Sequence, residues 1–319
     1  MKKIVTLLLV AVLTVGLFAS CAPSEKTHIN VGALKGPTGM GMSKLMVDAK
    51  DGKTANDYEF EVFAAPTDVT GLLLNGELDI AAVPTNLAAT LYNKSGGKIK
   101  IVALNTLSVL YVLEKGNTIE SFTDLEGKKI YASGKGATPE YALNYLLKEN
   151  NITCEVEYFA NHEEVVTQAL AGNADIIVIP EPNVSNLKSK SPEYRIAIDI
   201  NDVWAQTSQG QSLISMGCIV AQTEFIENNK KALNEFLKEY ADSVKYVNED
   251  IDNAAGIIAE LGIVPSRAIA QNAIPNSSIV CITGEEMKTK ATPFIKILFD
   301  SNPQSVGGKL PGEDFWYIK

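Results

Sequence analysis

The feature that most constrains this chain is that it repeats itself. Shifted by 96 residues, Glu59–Leu91 lies over Glu155–Leu187 without a gap. Eleven of the 33 paired positions are identical: Glu59 with Glu155, Glu61 with Glu157, Phe63 with Phe159, Ala64 with Ala160, Val69 with Val165, Leu74 with Leu170, Gly76 with Gly172, Asp79 with Asp175, Ile80 with Ile176, Pro84 with Pro180 and Leu91 with Leu187. Self-similarity over this length marks a structural unit used twice. Both copies carry the same pattern. Polar and apolar residues alternate through Tyr58–Phe63 and Glu155–Phe159, the period of a half-buried strand. A helical stretch follows and ends at Gly76 and Gly172, where a C-cap calls for positive φ. A short apolar run, Asp79–Val83 and Asp175–Ile179, is then stopped by proline. Strand, helix and strand at this length predict a parallel crossover unit.

A second echo lies upstream of each copy. Ile29–Ala33 runs into Lys35-Gly36-Pro37-Thr38, and Lys129–Ala132 runs towards Lys135-Gly136-Ala137-Thr138. Both loops lead into expected helices, Met40–Lys50 and Pro139–Asn150. Each half therefore reads as βαβαβ. Ligands of open α/β sheets bind at the carboxyl ends of the strands, which is where both loops fall. A long apolar strand, Ile99–Leu113, is expected to leave the first half, and another, Met216–Gln222, to follow the second. From Thr223 onward the chain reads as helical. Leu233, Phe236, Leu237, Tyr240, Val244 and Val247 form one stripe across Asn228–Asn248. Thr283-x-x-Glu286 has the spacing of a capping box opening a last helix, ahead of Pro293 and Phe294–Phe299. The expected organisation is two α/β lobes joined by two crossing strands, with the C-terminal helices returning to the first lobe. A length of 319 residues suits two such units.

Composition excludes several functions. A net charge of −10 with no clustered basic face argues against nucleic acid as a partner. The glycines at 36, 39 and 41 do not spell a nucleotide-binding fingerprint, and their position favours close backbone approach to a ligand. His162 stands beside Glu163 and Glu164, but the other histidine, His28, is remote, so no metal site is expected. No nucleophile–base set is spaced in the sequence, and no cofactor is called for. Cys21, Cys154, Cys218 and Cys281 show no C-x-x-C pair.

The N-terminus reads as an address. Met1-Lys2-Lys3 and the apolar stretch Ile4–Phe18 have the form of a secretory signal over residues 1–20. Leu17-Phe18-Ala19-Ser20-Cys21 resembles a bacterial lipobox, with Phe18 where leucine is usual. This implies acylation of Cys21, a lipidated tether over 21–27 and anchoring at the extracytoplasmic face of the membrane. Removing residues 1–20 takes out two lysines and no acid, which leaves 26 basic and 38 acidic residues, a net of −12.

The doubled α/β unit behind a lipobox resembles the extracytoplasmic substrate-binding proteins of ABC importers. The nearest group is the one serving sulfonates, nitrate and thiamine-pyrimidine precursors. The residues that carry the resemblance are Ala33–Gly39, Asn75–Ile80 with Pro84-Thr85-Asn86, Asp124–Lys129, Pro180-Glu181-Pro182 and Ser215–Cys218. It implies a two-lobed type II periplasmic-binding fold, each lobe a βαβ-based open sheet, with a ligand cleft between the lobes. The corresponding division is 28–112 for the first part of lobe 1, 113–214 for lobe 2, and 215–319 for the return strand and C-terminal helices of lobe 1. The implied function is a monomeric receptor that closes on a small molecule and delivers it to the transmembrane subunits of an ABC permease. Enzymes on the same fold, synthases of pyrimidine precursors or dehydratases, are the alternative; two histidines fit a histidine-rich active site poorly.

Candidate ligand-binding residues follow from the loops. Lys35, Gly36, Pro37, Thr38, Gly39 and Met40 come from the first lobe's first loop, and Lys135, Gly136, Ala137 and Thr138 from its counterpart. Asn86, Asn105 and Thr106 are neutral hydrogen-bonding groups near strand ends, Glu181 sits between two prolines, and Met216 opens the returning strand. Only Arg195 and Arg267 are arginines, and both fall outside the expected cleft loops. An oxyanion would have to rest on loop amides helped by Lys35 or Lys135. A planar, polar heterocycle such as a vitamin precursor asks for nothing the sequence lacks, and is preferred over a small organic anion.

Overall fold

The computed structural model describes residues 26–319. The signal segment and Cys21 lie outside the described residues. In chain order the first lobe opens with β1 (His28–Leu34), a single turn α1 (Pro37–Met40), α2 (Ser43–Lys50), β2 (Asp57–Phe63), α3 (Pro66–Asn75), β3 (Ile80–Pro84), α4 (Thr85–Ser95) and β4 (Ile99–Thr106). The chain then crosses to the second lobe with β5 (Leu110–Lys115), β6 (Lys129–Ser133), α5 (Thr138–Glu149), β7 (Glu155–Phe159), α6 (His162–Leu170), β8 (Ile176–Pro180), α7 (Asn183–Lys190), β9 (Tyr194–Asp199) and α8 (Ile200–Thr207). It returns through β10 (Gly217–Gln222), α9 (Thr223–Asn228), α10 (Lys230–Glu249), α11 (Ile251–Glu260), α12 (Arg267–Ala273), β11 (Ile279–Ile282) and α13 (Gly284–Ser301).

The repeat becomes two matching sheets. In one, β1 pairs in parallel with β2 and β3; in the other, β6 pairs in parallel with β7 and β8. Each parallel trio is extended by antiparallel strands, giving the orders β11-β4-β10-β3-β1-β2 and β7-β6-β8-β5-β9. The strand added to each trio comes from across the cleft: β5 precedes its trio in the chain, and β10 follows the other lobe entirely.

The apolar stretch 99–113 is two strands, not one. Nearly all of it is buried, with Lys100 and Leu107 half-buried, so alternation does not mark the break, although the polar residues Asn105, Thr106 and Ser108 flank it. The break comes from what captures each end: Leu107 N donates to Ser278 O in the first lobe, while Val109 O accepts Glu181 N from the second. The crossing therefore occupies Leu107–Val109, a little before the boundary read from the sequence. All three described cysteines are free, and Cys218 is buried in β10 against Val83.

The C-terminal helices also differ in detail from expectation. On α10 the stripe Leu233, Phe236, Tyr240, Val244 and Val247 is buried as its periodicity requires. In α13, Thr283 occupies the N-cap position without a side-chain hydrogen bond, and the helix runs on through Pro293. The proline removes one donor mid-helix, yet the following residues still bury Phe294, Ile295 and Leu298. Phe294 meets Trp204 of lobe 2 edge-on at 5.6 Å, and Trp204 in turn packs 4.9 Å from Tyr145. The last helix thus belongs to both lobes: one apolar cluster joins Leu104 and Val220 to Leu143 and Trp204.

One buried ion pair ties down the edge of lobe 2. Glu114, 3% exposed, accepts from the Thr118 amide and hydroxyl, from Ile119 N, and from Arg195 Nη2 at 2.7 Å. Burial alone would raise this carboxyl; the four donors outweigh it and hold the group below its ordinary range. Arg195 is consumed here, far from the strand ends that face the other lobe.

Candidate functional site

The carboxyl ends of the parallel strands in the two lobes face each other. Lobe 1 contributes the loop after β1, the start of α4, the end of β4 and the segment entering β10. Lobe 2 contributes the loop after β6 and the turn after β8. The two first loops are built alike: Lys35 N donates to Phe63 O and Lys135 N to Phe159 O, both at 3.0 Å. Gly36 (φ +89°) and Gly136 (φ +76°) supply the left-handed turns.

The lobes touch across this line. Thr138 Oγ1, at the first turn of α5, donates to Asn86 Oδ1 at 3.2 Å, so the starts of α4 and α5 are joined directly across the lobes. Tyr111 Oη donates to Asn276 O at 3.0 Å, and a Cβ on Gly36 would sit 3.8 Å from the Pro182 ring. Behind them, Asn105 Nδ2 donates to Thr38 O at 3.1 Å, and Met216 is held by its N–H to Thr106 O and its carbonyl to Thr85 N. Thr85 and Ser215 share a hydrogen bond at 2.8 Å.

Three polar atoms at the crossing are buried and have no partner: Asn105 Oδ1, Thr106 Oγ1 and Ser108 Oγ. Buried polar groups are nearly always satisfied, so three orphans within four residues make this a candidate binding position. None is charged. Asn105 and Thr106 are candidates from the sequence as well; Ser108, in the same polar run, is added by the structure.

Four of the loop amides are already occupied. Gly36 N donates to Ile263 O and Gly39 N to Gly36 O. Ala137 N donates to Gly134 O, and Gly136 N to the carboxylate of Glu140. An oxyanion placed on these four amides would displace internal bonds and, at Gly136, meet a carboxylate; Thr38 N and Thr138 N have no hydrogen-bond partner among the described residues. The room at Gly39 is likewise used by the protein, since a Cβ there would strike Leu34 O, and Gly41 is packed under Tyr240. Met40 is fully buried in the first lobe's core rather than in the cleft. Lys35 and Lys135 are exposed at the rim, while Pro37 and Ala137 are half-buried beside them.

Two further groups stand in the second lobe's wall. Glu181, expected on a turn, is 1% exposed and accepts from Ser185 N and Ser185 Oγ, both at 3.0 Å. Burial raises its carboxyl despite those bonds. Ser133, at the end of β6, is hydrogen-bonded to His162 Nδ1 at 2.7 Å. Burial lowers the imidazole, which keeps it neutral at neutral pH. Nothing in the amino-acid order points to this pair, since its members are brought together only by the parallel pairing of β6 with β7. Among the described residues no carboxylate bonds the ring, so the histidine lacks the orienting acid of a catalytic dyad.

Comparison with known proteins agrees with this architecture. Residues 57–254 match the family model described as NMT1/THI5 like. Among solved structures, the chain is similar to an ABC transporter protein from Parabacteroides distasonis, with 25% identity and a TM-score of 0.79 over 92% of this chain and 100% of that one. It shares its fold with the periplasmic aliphatic sulphonate binding protein SsuA from Escherichia coli (14% identity, TM-score 0.70, 90% and 93% covered). The same holds for the periplasmic nitrate-binding protein NrtA from Synechocystis (14% identity, TM-score 0.55, 82% and 75% covered). No curated protein matches the chain.

A single methyl group tests whether the cleft wall is built to tolerance. A Cβ on Gly217 would fall on the Thr38 methyl and the Asn105 carboxamide oxygen, well inside van der Waals contact. Gly217→Ala is therefore expected to cost about 1–3 kcal/mol by overpacking and to lower solute affinity by moving Asn105. Chemical denaturation and titration calorimetry would measure both; an unchanged affinity would remove Asn105 from the site.

Proposed function

The chain belongs to the NMT1/THI5-like family, and from that premise we propose that it is a solute receptor of an ABC importer, without catalytic activity of its own. The receptor captures a small molecule between its lobes and presents it, closed, to the transmembrane subunits of a permease. The observation that carries this reading is the trio of buried, unpartnered atoms on Asn105, Thr106 and Ser108, set where two copies of one βαβ unit face each other. Similarity to the transporter protein from Parabacteroides distasonis over nearly the whole chain supports it.

The solute class follows from which groups are free. The SsuA and NrtA neighbours are proteins of sulphonate and nitrate. Here four of the loop amides are spent internally, Glu140 occupies one of them, and both arginines are paired with acids, Arg195 with Glu114 and Arg267 with Asp252. Lys35 and Lys135 stand exposed at the rim, and the side chains at the centre are neutral: Asn86, Asn105, Thr106, Ser108 and Thr138. The ligand is accordingly a planar, polar metabolite of the vitamin-precursor kind, oriented by uncharged hydrogen bonds, with Thr138 and Asn86 latching the lobes around it.

Native mass spectrometry of protein purified without denaturation tests the solute. A co-purified heterocycle whose affinity falls about tenfold in Asn105→Ala, the loss of one or two good hydrogen bonds, is the expected result. A tightly held sulfonate or inorganic oxyanion would overturn the solute class.

Anchoring is the second part of the proposal. Acylation at Cys21 holds the receptor on the outer face of the cell membrane, where the permease stands. Feeding cells a labelled fatty acid is expected to label the wild-type protein, while Cys21→Ser is released or left unprocessed. Wild-type protein without label would sink the anchor.

A further inference from the structure

A pocket of about 300 Å³ opens beside the cleft, between the two lobes. One wall is the inner face of α7 and β9 of lobe 2, with Glu181, Ser185, Lys188 and Ile196. The other is Asn272 on α12 and Asn276 just after it, both from lobe 1. The volume is at the lower end of the range for small-molecule sites. Because its walls come from both lobes, the pocket exists only when they are together, and anything bound in it favours the closed state.

Glu181 lies at its inner end, buried and with no cation in contact; the exposed Lys188 acts on it only from a distance. An ionised carboxylate offers roughly four acceptor positions; Ser185 fills two, and Asn276 faces it from the other lobe. Among the described residues no lysine, arginine or histidine nitrogen lies within ion-pair distance. Lys188 lines the same pocket two turns along α7, with an exposed side chain. Ionised carboxylates shut away from water are ordinarily paired. The surroundings deepen the negative potential. Besides burial, the nearby charges of Asp199, Glu181 and Asp202 raise Tyr111, whose ring stands at the lobe boundary with its hydroxyl on Asn276 O. Capping of α7 by the Glu181 carboxylate accounts for its two hydrogen bonds from Ser185. It does not account for a cavity at the carboxylate, nor for the lack of a cation in contact with it.

We infer that this pocket takes the protonated amino or amidino end of a small organic cation, with Glu181 as its counter-charge and Asn272 and Asn276 as neutral acceptors. The site deepens the receptor reading, on which it rests for the claim that a solute enters between the lobes. It assigns that solute a positive end at the lobe boundary and a polar body towards Asn105 and Thr106.

Two probes of one shape and opposite charge test it: benzamidine, a planar amidinium, and benzenesulfonate. Each is titrated by calorimetry into the full receptor, into Glu181→Gln, and into Ile196→Trp, which fills the pocket from β9 without touching the carboxylate. Circular dichroism confirms that both variants are folded. Benzamidine is expected to bind the wild type, with affinity down at least tenfold in each variant, and benzenesulfonate to give no heat. Benzamidine affinity unchanged in Glu181→Gln, or benzenesulfonate bound in preference, overturns the cation site. The two proposals fail separately. If a co-purified solute is found by native mass spectrometry but its affinity is unaffected by Glu181→Gln and Ile196→Trp, the receptor stands and the cation site falls. If benzamidine depends on Glu181 but not on Asn105, the cation site stands by itself as a flank pocket.

Discussion

Everything in this molecule hangs on an exchange of strands. Each lobe has a parallel trio that the sequence supplies as a continuous βαβαβ unit, and each trio is completed by an antiparallel strand that reaches it only by crossing the cleft. β5 lies on β8 and β10 lies on β3, through ladders of five residue pairs each. Two such crossings fix the lobes with their strand ends facing one another, and they make the crossing residues part of the cleft floor. Asn105, Thr106 and Ser108 are there because the chain has to pass there. The backbone at this point is held from both sides, through Leu107 by Ser278 and through Val109 by Glu181, which leaves the side chains free for a guest.

The chemistry of that floor is set by what is already spent. Backbone amides at the ends of parallel strands are the usual resting place for an anion. In this chain four of them bond to Ile263, Gly36, Gly134 and Glu140 instead. The arginines serve the periphery. The lobe boundary retains neutral donors and acceptors at its centre and a buried carboxylate at its flank with no cation in contact, the arrangement on which the proposed polar or cationic solute rests. The same fold serves proteins of sulphonate and nitrate, so the discrimination lies in side chains and amide bookkeeping rather than in topology.

Much of this was legible from the amino-acid order. The 96-residue repeat located β2, α3 and β3 and their counterparts because each copy must bury the same faces, and the two K-G-x-T loops fell at matched strand ends. Asn86 and Thr138 could be nominated separately, though nothing in the sequence says that they touch. The strand break at 107–109 shows no period because the stretch is mostly buried, and the polar run Asn105-Thr106-Leu107-Ser108, the one signal of a loop there, is absorbed into the strand expected over 99–113. Glu181 could be nominated as a ligand contact or as a solvent-facing turn between two prolines; the carboxylate is buried and bonded to Ser185 of α7. Gly39 and Gly41 suggested ligand approach, and their lack of side chains is instead needed for packing against Leu34 and beneath Tyr240. The Ser133–His162 contact depends on pairing residues 29 positions apart, beyond any local pattern.

The central claim is that the two copies close on a solute held at the crossing. Pulsed electron resonance between spin labels at Thr67 and Glu163, repeat-equivalent exposed positions at the starts of α3 and α6, reads that motion directly, with Cys154 and Cys281 replaced by serine to avoid stray labelling. The account predicts a broad, longer distance distribution in solute-free protein that collapses to a single short distance on saturation, and that stays broad in Asn86→Ala. An identical distribution with and without solute would contradict it.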